Sequence, residues 1–114
     1  MIALIKQHRE QIAALCRQYG VERLEVFGSA ATGAFNFSTS DIDLIVRFGA
    51  HDRLNLFERY FGFVEDLERL FKHPIDLLTD QPFRNPYFAQ SVAESRHLVY
   101  ELSYNTTDLL LENY

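Results

Sequence analysis

The sequence is poor in lysine, cysteine and proline, and it contains no tryptophan. Lys6 and Lys72 are its two lysines, and 16 acidic residues against 11 basic ones give a formal net charge of −5. A domain that coats a nucleic-acid backbone is normally basic. The charge balance therefore argues against direct DNA or RNA binding. It still allows a nucleotide bound through a metal ion, because the metal supplies the positive charge that the protein lacks.

A single cysteine, Cys16, excludes an intramolecular disulfide and a zinc site built on several cysteines. Cys16 falls on a helical apolar stripe together with Ile12, Leu15 and Tyr19. A buried, structural thiol is the expected role for a cysteine in that position.

Long hydrophobic runs are also missing, so no segment is expected to span a membrane. The early apolar run at residues 2–5 is interrupted at once by charged residues, unlike a signal peptide, and a cytoplasmic protein is expected. The composition, 47% apolar and 24% charged, is that of a globular domain. We expect one domain over residues 1–101 and a C-terminal tail, residues 102–114, that could form a short helix.

The hydrophobic pattern predicts helices and strands in alternation, and therefore an α/β domain with a small central sheet flanked by helices. The predicted helices cover residues 2–19, 53–72 and 85–96, with a short helical turn at 29–33. The predicted strands cover residues 24–27, 41–48, 75–79 and 98–101. The four histidines show no metal-ligand spacing and are expected at the surface: His8, His51, His73 and His97.

Two carboxylates mark the start of the clearest strand, residues 41–48. Side chains alternate between the two faces of a strand, so Asp41 and Asp43 project the same way, with Cα atoms about 6–7 Å apart. The opposite face is entirely apolar and is expected in the core: Ile42, Leu44, Val46 and Phe48. Neighbouring carboxylates repel unless a cation lies between them, and Mg²⁺ prefers such hard oxygen ligands.

A third carboxylate, Asp76, lies within the short apolar strand 75–79. An acid buried there without a partner would cost several kcal/mol. Asp76 would be better tolerated if it faced the same metal as Asp41 and Asp43. Three carboxylates from two strands could hold two metal ions that clamp the attacking and leaving oxygens of a phosphoryl transfer.

A possible phosphate-binding turn precedes these acids. Gly28 and Ser29 follow the strand 24–27, and Gly33 closes the short helical turn. Glycine lets the backbone approach an anion closely, N–H groups at a helix start favour phosphate, and the Ser29 hydroxyl adds a neutral donor.

Each of these features has an ordinary alternative explanation. An Asp-x-Asp pair is often a helix cap or a solvated edge, a Gly-Ser pair is usually a turn, and Asp76 could pair with an arginine. The order of all the features together is far more specific than any one of them.

That order resembles the polymerase-beta-type nucleotidyltransferase superfamily, and in particular its minimal-nucleotidyltransferase (MNT) branch. The matching residues run from Gly28-Ser29 to Gly33, then through Ser40-Asp41-Ile42-Asp43 to Ile75-Asp76-Leu77. The resemblance covers nearly the whole chain and implies a polymerase-beta-like fold with a mixed sheet. It assigns Gly28, Ser29 and Gly33 to the nucleotide, and Asp41, Asp43 and Asp76 to Mg²⁺ and catalysis, with Asp76 as the general base.

The resemblance also implies a donor and a partner. ATP would supply AMP, and MNT proteins of this size resemble antitoxins that act on a HEPN-domain ribonuclease toxin. The transfer of AMP to a toxin hydroxyl, typically that of a tyrosine, would block RNA at the toxin's site through charge and size. A hetero-oligomeric complex with the toxin is therefore expected.

Two departures from the family pattern leave other functions open. Thr32 stands where the family usually has an arginine, and the loop before Asp41 carries Phe35 and Phe37 in place of charged residues. A binding-only antitoxin is the main alternative to an active enzyme. A transferase acting on a small molecule is disfavoured, because the chain has no additional substrate domain.

The helix predicted at residues 53–72 has an unusually wide apolar sector, which suits either a central core helix or a two-sided helix with a partner surface. The core stripe is predicted as Phe57, Tyr60/Phe61, Val64, Leu67/Glu68 and Phe71. The exposed, partner-binding set is predicted as Leu56, Phe63 and Leu70.

Overall fold

A four-stranded mixed sheet forms the centre of the protein in a computed structural model that describes residues 1–51 and 53–103. The strands are β1 (Val21–Phe27), β2 (Ile42–Phe48), β3 (Ile75–Thr79) and β4 (His97–Glu101). The helices are α1 (Ala3–Gln7), α2 (Arg9–Gln18), α3 (Ser29–Thr32), α4 (Leu56–Phe71) and α5 (Pro86–Ser95). The helix predicted in the C-terminal tail lies outside the described residues, which end at residue 103.

The strands lie in the order β3-β2-β1-β4. β1 runs antiparallel to both β2 and β4, whereas β2 and β3 are parallel and are connected through α4. A parallel pair needs a crossover connection, and α4 supplies it. The predicted α/β fold with a small mixed sheet is confirmed.

The two faces of the sheet are covered by different helices. Ile42, Leu44 and Val46 of β2 belong to the main core, which includes buried residues of α1, α2 and α4, so the predicted inward face of β2 is confirmed. On the other face, Ile45 packs with Phe27 and with Val92 of α5 in a smaller apolar cluster. The sheet is therefore covered on both sides, although the second face is only partly apolar.

The helix predicted over residues 2–19 is broken at His8 into α1 and α2. The His8 ring lies with Nδ1 2.8 Å from the Leu4 carbonyl oxygen, which would otherwise accept the regular helical hydrogen bond from the His8 amide. That amide instead donates to Ile5, at 3.2 Å. The predicted apolar stripe survives the break, because Ile5 and Ile12 are both buried.

Cys16 is fully buried in the same stripe, as predicted, and burial raises the pKa of its thiol to about 12. A thiol with so high a pKa stays protonated at physiological pH, so its role is packing. Among the described residues, no helix combines the length and apolar character needed to cross a lipid bilayer.

The start of α4 is set by a capping box. Asn55 accepts a hydrogen bond from the Glu58 amide at 2.8 Å, and the Glu58 carboxylate accepts one from the Asn55 amide at 3.3 Å. Two backbone donors that lack helical partners are satisfied in this way. α4 therefore begins at Leu56, three residues after the predicted start.

The predicted orientation of α4 was wrong for three of its aromatic residues, Phe57, Phe61 and Phe63. Phe63, expected on the exposed side, is completely buried, whereas Phe57 and Phe61, expected in the core, are 71% and 53% exposed. Leu56 is exposed and Leu67 and Phe71 are buried, as predicted, and Leu70 is partly buried against the core.

Arg59 explains the orientation. Its buried guanidinium group donates hydrogen bonds to the carbonyl oxygens of Tyr19 at 2.8 Å, Gly20 at 2.8 Å and Gly49 at 2.7 Å. These carbonyls lie at the end of α2 and at the end of β2, so Arg59 turns its own side of α4 towards the sheet. Phe63 lies one helical turn further along and is carried into the core with it.

Candidate active site

Asp43 of β2 and Asp76 of β3 lie side by side, because the parallel pairing of the strands places them in register. The Asp43 side chain is partly buried, and the Asp76 side chain is exposed. The interaction with Asp76 favours the protonated form of Asp43.

Burial, and after it the negative charges of Asp76 and Asp41, together raise the pKa of Asp43 to about 6. Like charges that share a site favour a proton between them, as in other carboxyl pairs. In the described part of the chain, none of the ion pairs involves any of these three aspartates. The repulsion within the group is therefore not relieved by an arginine or a lysine.

Asp41 is exposed and precedes the first residue of β2. Over residues 1–51 and 53–103, no three histidine, cysteine or acidic side chains are placed closely enough to hold one metal ion among them. The expected convergence of three carboxylates is thus seen for Asp43 and Asp76, and Asp41 lies outside that pair.

Gly28 lies directly against the acidic pair. It follows the last residue of β1, Phe27, which pairs with Asp43 across the sheet. A Cβ atom added to Gly28 would lie 2.7 Å from Oδ2 of Asp43, closer than real Cβ atoms approach other atoms. Gly28 also has φ 66° and ψ −147°, a conformation essentially restricted to glycine. Close approach and backbone conformation both explain the glycine.

The short helix α3 follows at once, beginning at Ser29 and ending at Thr32. Gly33 caps it with φ 89° in the left-handed region, and open space surrounds the position where its Cβ would lie. The structure therefore gives Gly33 a conformational role at the helix end, whereas Gly28 and Ser29 lie next to the carboxylates.

Helix α5 is attached to this site through Ser95, a residue that sequence reasoning missed. The buried Ser95 hydroxyl accepts a hydrogen bond from the Gly28 amide at 3.0 Å and donates one to the Ser91 carbonyl at 3.0 Å. The amide at the end of β1 is thereby held by the last turn of α5. A serine at the end of a helix gives no sequence signal for such a contact.

A buried ion pair attaches the same helix end to the sheet. Arg96 donates two hydrogen bonds to the Glu25 carboxylate, at 2.8 Å from Nε and 2.6 Å from Nη2. Hydrogen bonding to Arg96 lowers the pKa of Glu25 despite its burial. Glu25 lies in the middle of an apolar strand, which is the one sequence signal that could have identified it.

The prediction that all four histidines lie at the surface was wrong. His97 is exposed, but His8, His51 and His73 are partly buried, and each has a ring nitrogen within hydrogen-bonding distance of a backbone carbonyl. The contacts of His51 and His73 join segments that are distant in the sequence, so periodicity could not reveal them.

The acidic pair fits a divalent cation by the chemistry of its donors. It offers carboxylate oxygens, the ligands that Mg²⁺ prefers, and its own negative charges need a cation. Asp43 and Asp76 are the residues that would hold the ion, and Asp41 is the nearest further carboxylate along β2. Bound there, the ion would polarise a phosphoryl oxygen and neutralise developing charge.

Comparison with known proteins agrees with this geometry. A family model described as a nucleotidyltransferase domain matches residues 8–99. A protein of Methanocaldococcus jannaschii, provisionally named a protein adenylyltransferase, is 31% identical over 91 residues, which cover 80% of this chain and 86% of that protein.

Two solved structures extend the likeness. One, described as a minimal nucleotidyltransferase, superposes with a TM-score of 0.62 at 26% identity and covers 81% of this chain and 89% of its own. The other is a complex of a tri-AMPylated HEPN toxin with an MNT antitoxin from Shewanella oneidensis, with a TM-score of 0.55 at 18% identity; 94% of this chain and 78% of that chain are covered, and the likeness shows the fold alone. By its sequence match and its fold, the chain belongs to the nucleotidyltransferase family and is a nucleotidyltransferase of the minimal type.

Proposed function

We propose that the protein transfers AMP from ATP, with Mg²⁺, to a hydroxyl group of a cognate HEPN-domain ribonuclease toxin and so acts as its antitoxin. The observation that carries the proposal is the Asp43–Asp76 pair, placed beside Gly28 and bonded to no basic side chain within the described residues. Phosphoryl transfer needs a cation held by oxygen ligands next to a backbone that an anionic phosphate can approach.

In the proposed reaction, the acceptor oxygen forms a bond to the α-phosphorus of ATP while the bond to the departing pyrophosphate breaks. A carboxylate oxygen of Asp76 accepts the proton of the acceptor hydroxyl, as a general base must. Asp76 suits this role because its side chain is exposed and so can reach an acceptor brought by another molecule. Asp43 and Asp76 would hold the metal ion, with Asp41 as a third ligand.

The nucleotide is held by the segment before these acids. Gly28 and Ser29 contact the triphosphate, and Gly33 ends the short helix α3 that follows them. The backbone at Gly28 lies so close to the Asp43 carboxylate that even a Cβ at that position would meet it. The net charge of −5 supports a nucleotide bound through a cation and opposes direct DNA or RNA binding.

The proposed acceptor is a tyrosine hydroxyl of the toxin. The choice of a tyrosine follows from the family resemblance alone. An acceptor on another protein is supported by the M. jannaschii relative named as a protein adenylyltransferase, and a HEPN toxin as that protein by the fold shared with an MNT antitoxin bound to a tri-AMPylated HEPN toxin. An added AMP places a bulky anion on the toxin, which would exclude RNA from its site through charge and size. The active form would then be a hetero-oligomeric complex.

A binding-only antitoxin is the second candidate, and Thr32 favours it. This exposed residue ends α3, at the position where the family usually supplies an arginine. Without that guanidinium, phosphate binding has one charge-assisted contact fewer. Such a protein would neutralise its toxin through contact alone.

The test is incubation of the purified protein with a purified cognate HEPN-domain toxin and ATP labelled at the α-phosphate. We expect label on the toxin in the presence of Mg²⁺, no label from ATP labelled at the γ-phosphate, and loss of labelling in Asp43→Asn combined with Asp76→Asn. A toxin that is inhibited but never labelled would establish the binding-only alternative. Labelling that persists in the double variant would place the chemistry elsewhere.

A further inference from the structure

His73 connects the two segments that lead into the acidic strands. Helix α4 ends at Phe71, Lys72 adopts a left-handed conformation with φ 52°, and the chain turns so that the His73 ring meets the loop before β2. Nε2 of His73 lies 2.6 Å from the carbonyl oxygen of Ser40. Because a carbonyl oxygen can only accept, Nε2 carries the hydrogen and donates it.

The position of this bond relates it to the carboxylates. Ser40 immediately precedes Asp41, and His73 lies three residues before Asp76. The next hydrogen bond between the same two segments runs from the Ile42 amide to the Pro74 carbonyl oxygen, at 3.1 Å. The His73 side chain thus extends the pairing of β2 and β3 by one hydrogen bond beyond the sheet, on the side where Asp41 lies.

Two phenylalanines hold the His73 ring in this orientation. Its centroid lies 5.2 Å from that of Phe35 and 5.8 Å from that of Phe37, and the two phenylalanine rings meet edge to face at 4.9 Å. Asn36 fixes the loop between them, since its carbonyl accepts from the Ser40 amide at 2.7 Å. The two aromatic residues that depart from the family pattern therefore support the histidine.

We propose that His73 is a positioning residue that holds the segment before Asp41 against the start of β3, and so keeps the Asp43–Asp76 pair in place for one divalent cation. The inference rests on the proposed function, because it assumes that these carboxylates bind a metal ion. Groups that orient metal ligands through hydrogen bonds affect metal affinity although they do not touch the ion. His73 acts in this way through the backbone of Ser40.

The test compares His73→Met with His73→Gln, two side chains of similar length of which only glutamine can donate a hydrogen bond. The probe is Mn²⁺ binding, measured by electron paramagnetic resonance without nucleotide. We expect the methionine variant to bind Mn²⁺ about ten-fold more weakly than wild type, and the glutamine variant to recover most of the affinity. His8→Met is the matched control, because His8 is also partly buried, contacts a carbonyl and lies edge to face with a phenylalanine, Phe71. It should bind Mn²⁺ as wild type does.

A second readout needs no metal. Hydrogen exchange of the Ile42 amide reports the neighbouring contact with Pro74, and it should accelerate in His73→Met but not in His8→Met. If the methionine variant does not fold, His73→Phe, which keeps an aromatic ring without a donor, replaces it. The inference is overturned if the non-donating variant binds Mn²⁺ as tightly as wild type, or if the glutamine variant is no better. A wild-type protein that binds no Mn²⁺ would instead overturn the proposed function, and the inference with it.

Discussion

Gly28 and Asp43 are in such close contact that a methyl group on Gly28 would lie 2.7 Å from Oδ2 of Asp43. The end of β1 and the start of β2 are thus fitted to each other without space for any side chain at Gly28. The contact joins the predicted phosphate-binding turn to a predicted metal ligand, so a change at Gly28 should reach the carboxylates directly.

Gly28→Ala is expected to lower the free energy of unfolding by about 2–3 kcal/mol, because it adds both an unfavourable backbone conformation and a steric overlap. Gly33→Ala is the matched control: Gly33 also has a positive φ, but a Cβ there meets no atom within 4 Å. We expect the control to cost about 1 kcal/mol in urea denaturation. Mn²⁺ affinity should fall in Gly28→Ala alone, and an equal fall in both variants would contradict the role of the Asp43 contact.

The carboxyl of Asp43 should make stability depend on pH in the absence of metal. Its pKa is raised from 3.8 to about 6, so between these values the native state binds more protons than the unfolded state, and stability falls as pH rises. In EDTA, Tm should therefore decrease from pH 4 to pH 7. Asp43→Asn should remove this decrease and exceed wild type at pH 7.5.

Asp76→Asn serves as the control for the pH experiment. It removes the neighbouring negative charge but not the burial of Asp43, so it should reduce the slope only in part. Mg²⁺ should raise the wild-type Tm at pH 7.5 and have little effect at pH 4.5. If the dependence of Tm on pH is unchanged in Asp43→Asn, a group other than Asp43 causes it.

Phe63 and Phe57 should respond differently to truncation, although both belong to α4. Phe63 is completely buried against Tyr19 and Phe48, and Phe63→Ala should cost about 3–5 kcal/mol. Phe57 is 71% exposed, and Phe57→Ala should change stability by at most about 0.5 kcal/mol. Urea denaturation measures both, and similar losses would contradict the orientation that Arg59 gives to α4.

The fold could be predicted from the sequence because its periodic elements are strong. The alternation of β2 placed Ile42 and Leu44 in the core, and the order of the elements predicted a small sheet flanked by helices. The parallel pairing that brings Asp43 to Asp76 was not itself predicted, although a helix between two strands is the connection it requires. The facing of α4 could not be predicted, because an apolar sector this wide allows several orientations. A buried arginine, Arg59, decides among them through carbonyls of distant segments.

The candidate site, too, could be predicted only in part. Its acids follow from local patterns, whereas the groups that hold them in place belong to contacts between distant parts of the chain. Ser95 bonds Gly28 across 67 residues, and Arg96 reaches Glu25 across 71. Such pairs leave no periodic signal in a single sequence.

Thr32→Arg tests whether the departure from the family pattern weakens nucleotide binding. A guanidinium at this exposed end of α3 could add one charge-assisted hydrogen bond to phosphate, which is worth about 1.5–3 kcal/mol, or about ten-fold or more in affinity. Isothermal titration with ATP and Mg²⁺ measures the gain. Thr39→Arg, an exposed loop position, adds the same charge elsewhere. An equal gain in both variants would indicate a general charge effect.

The burial of Cys16 gives the protein an internal reporter of its own opening. The thiolate is the form that attacks a thiol-reactive dye, and a thiol that is enclosed by the core with a pKa of about 12 offers almost none of it. Modification therefore requires α2 to separate from the sheet, after which the exposed thiol reacts at the rate of a free cysteine. Since the chain has one cysteine, the ratio of the two rates gives the free energy of that separation without any introduced label.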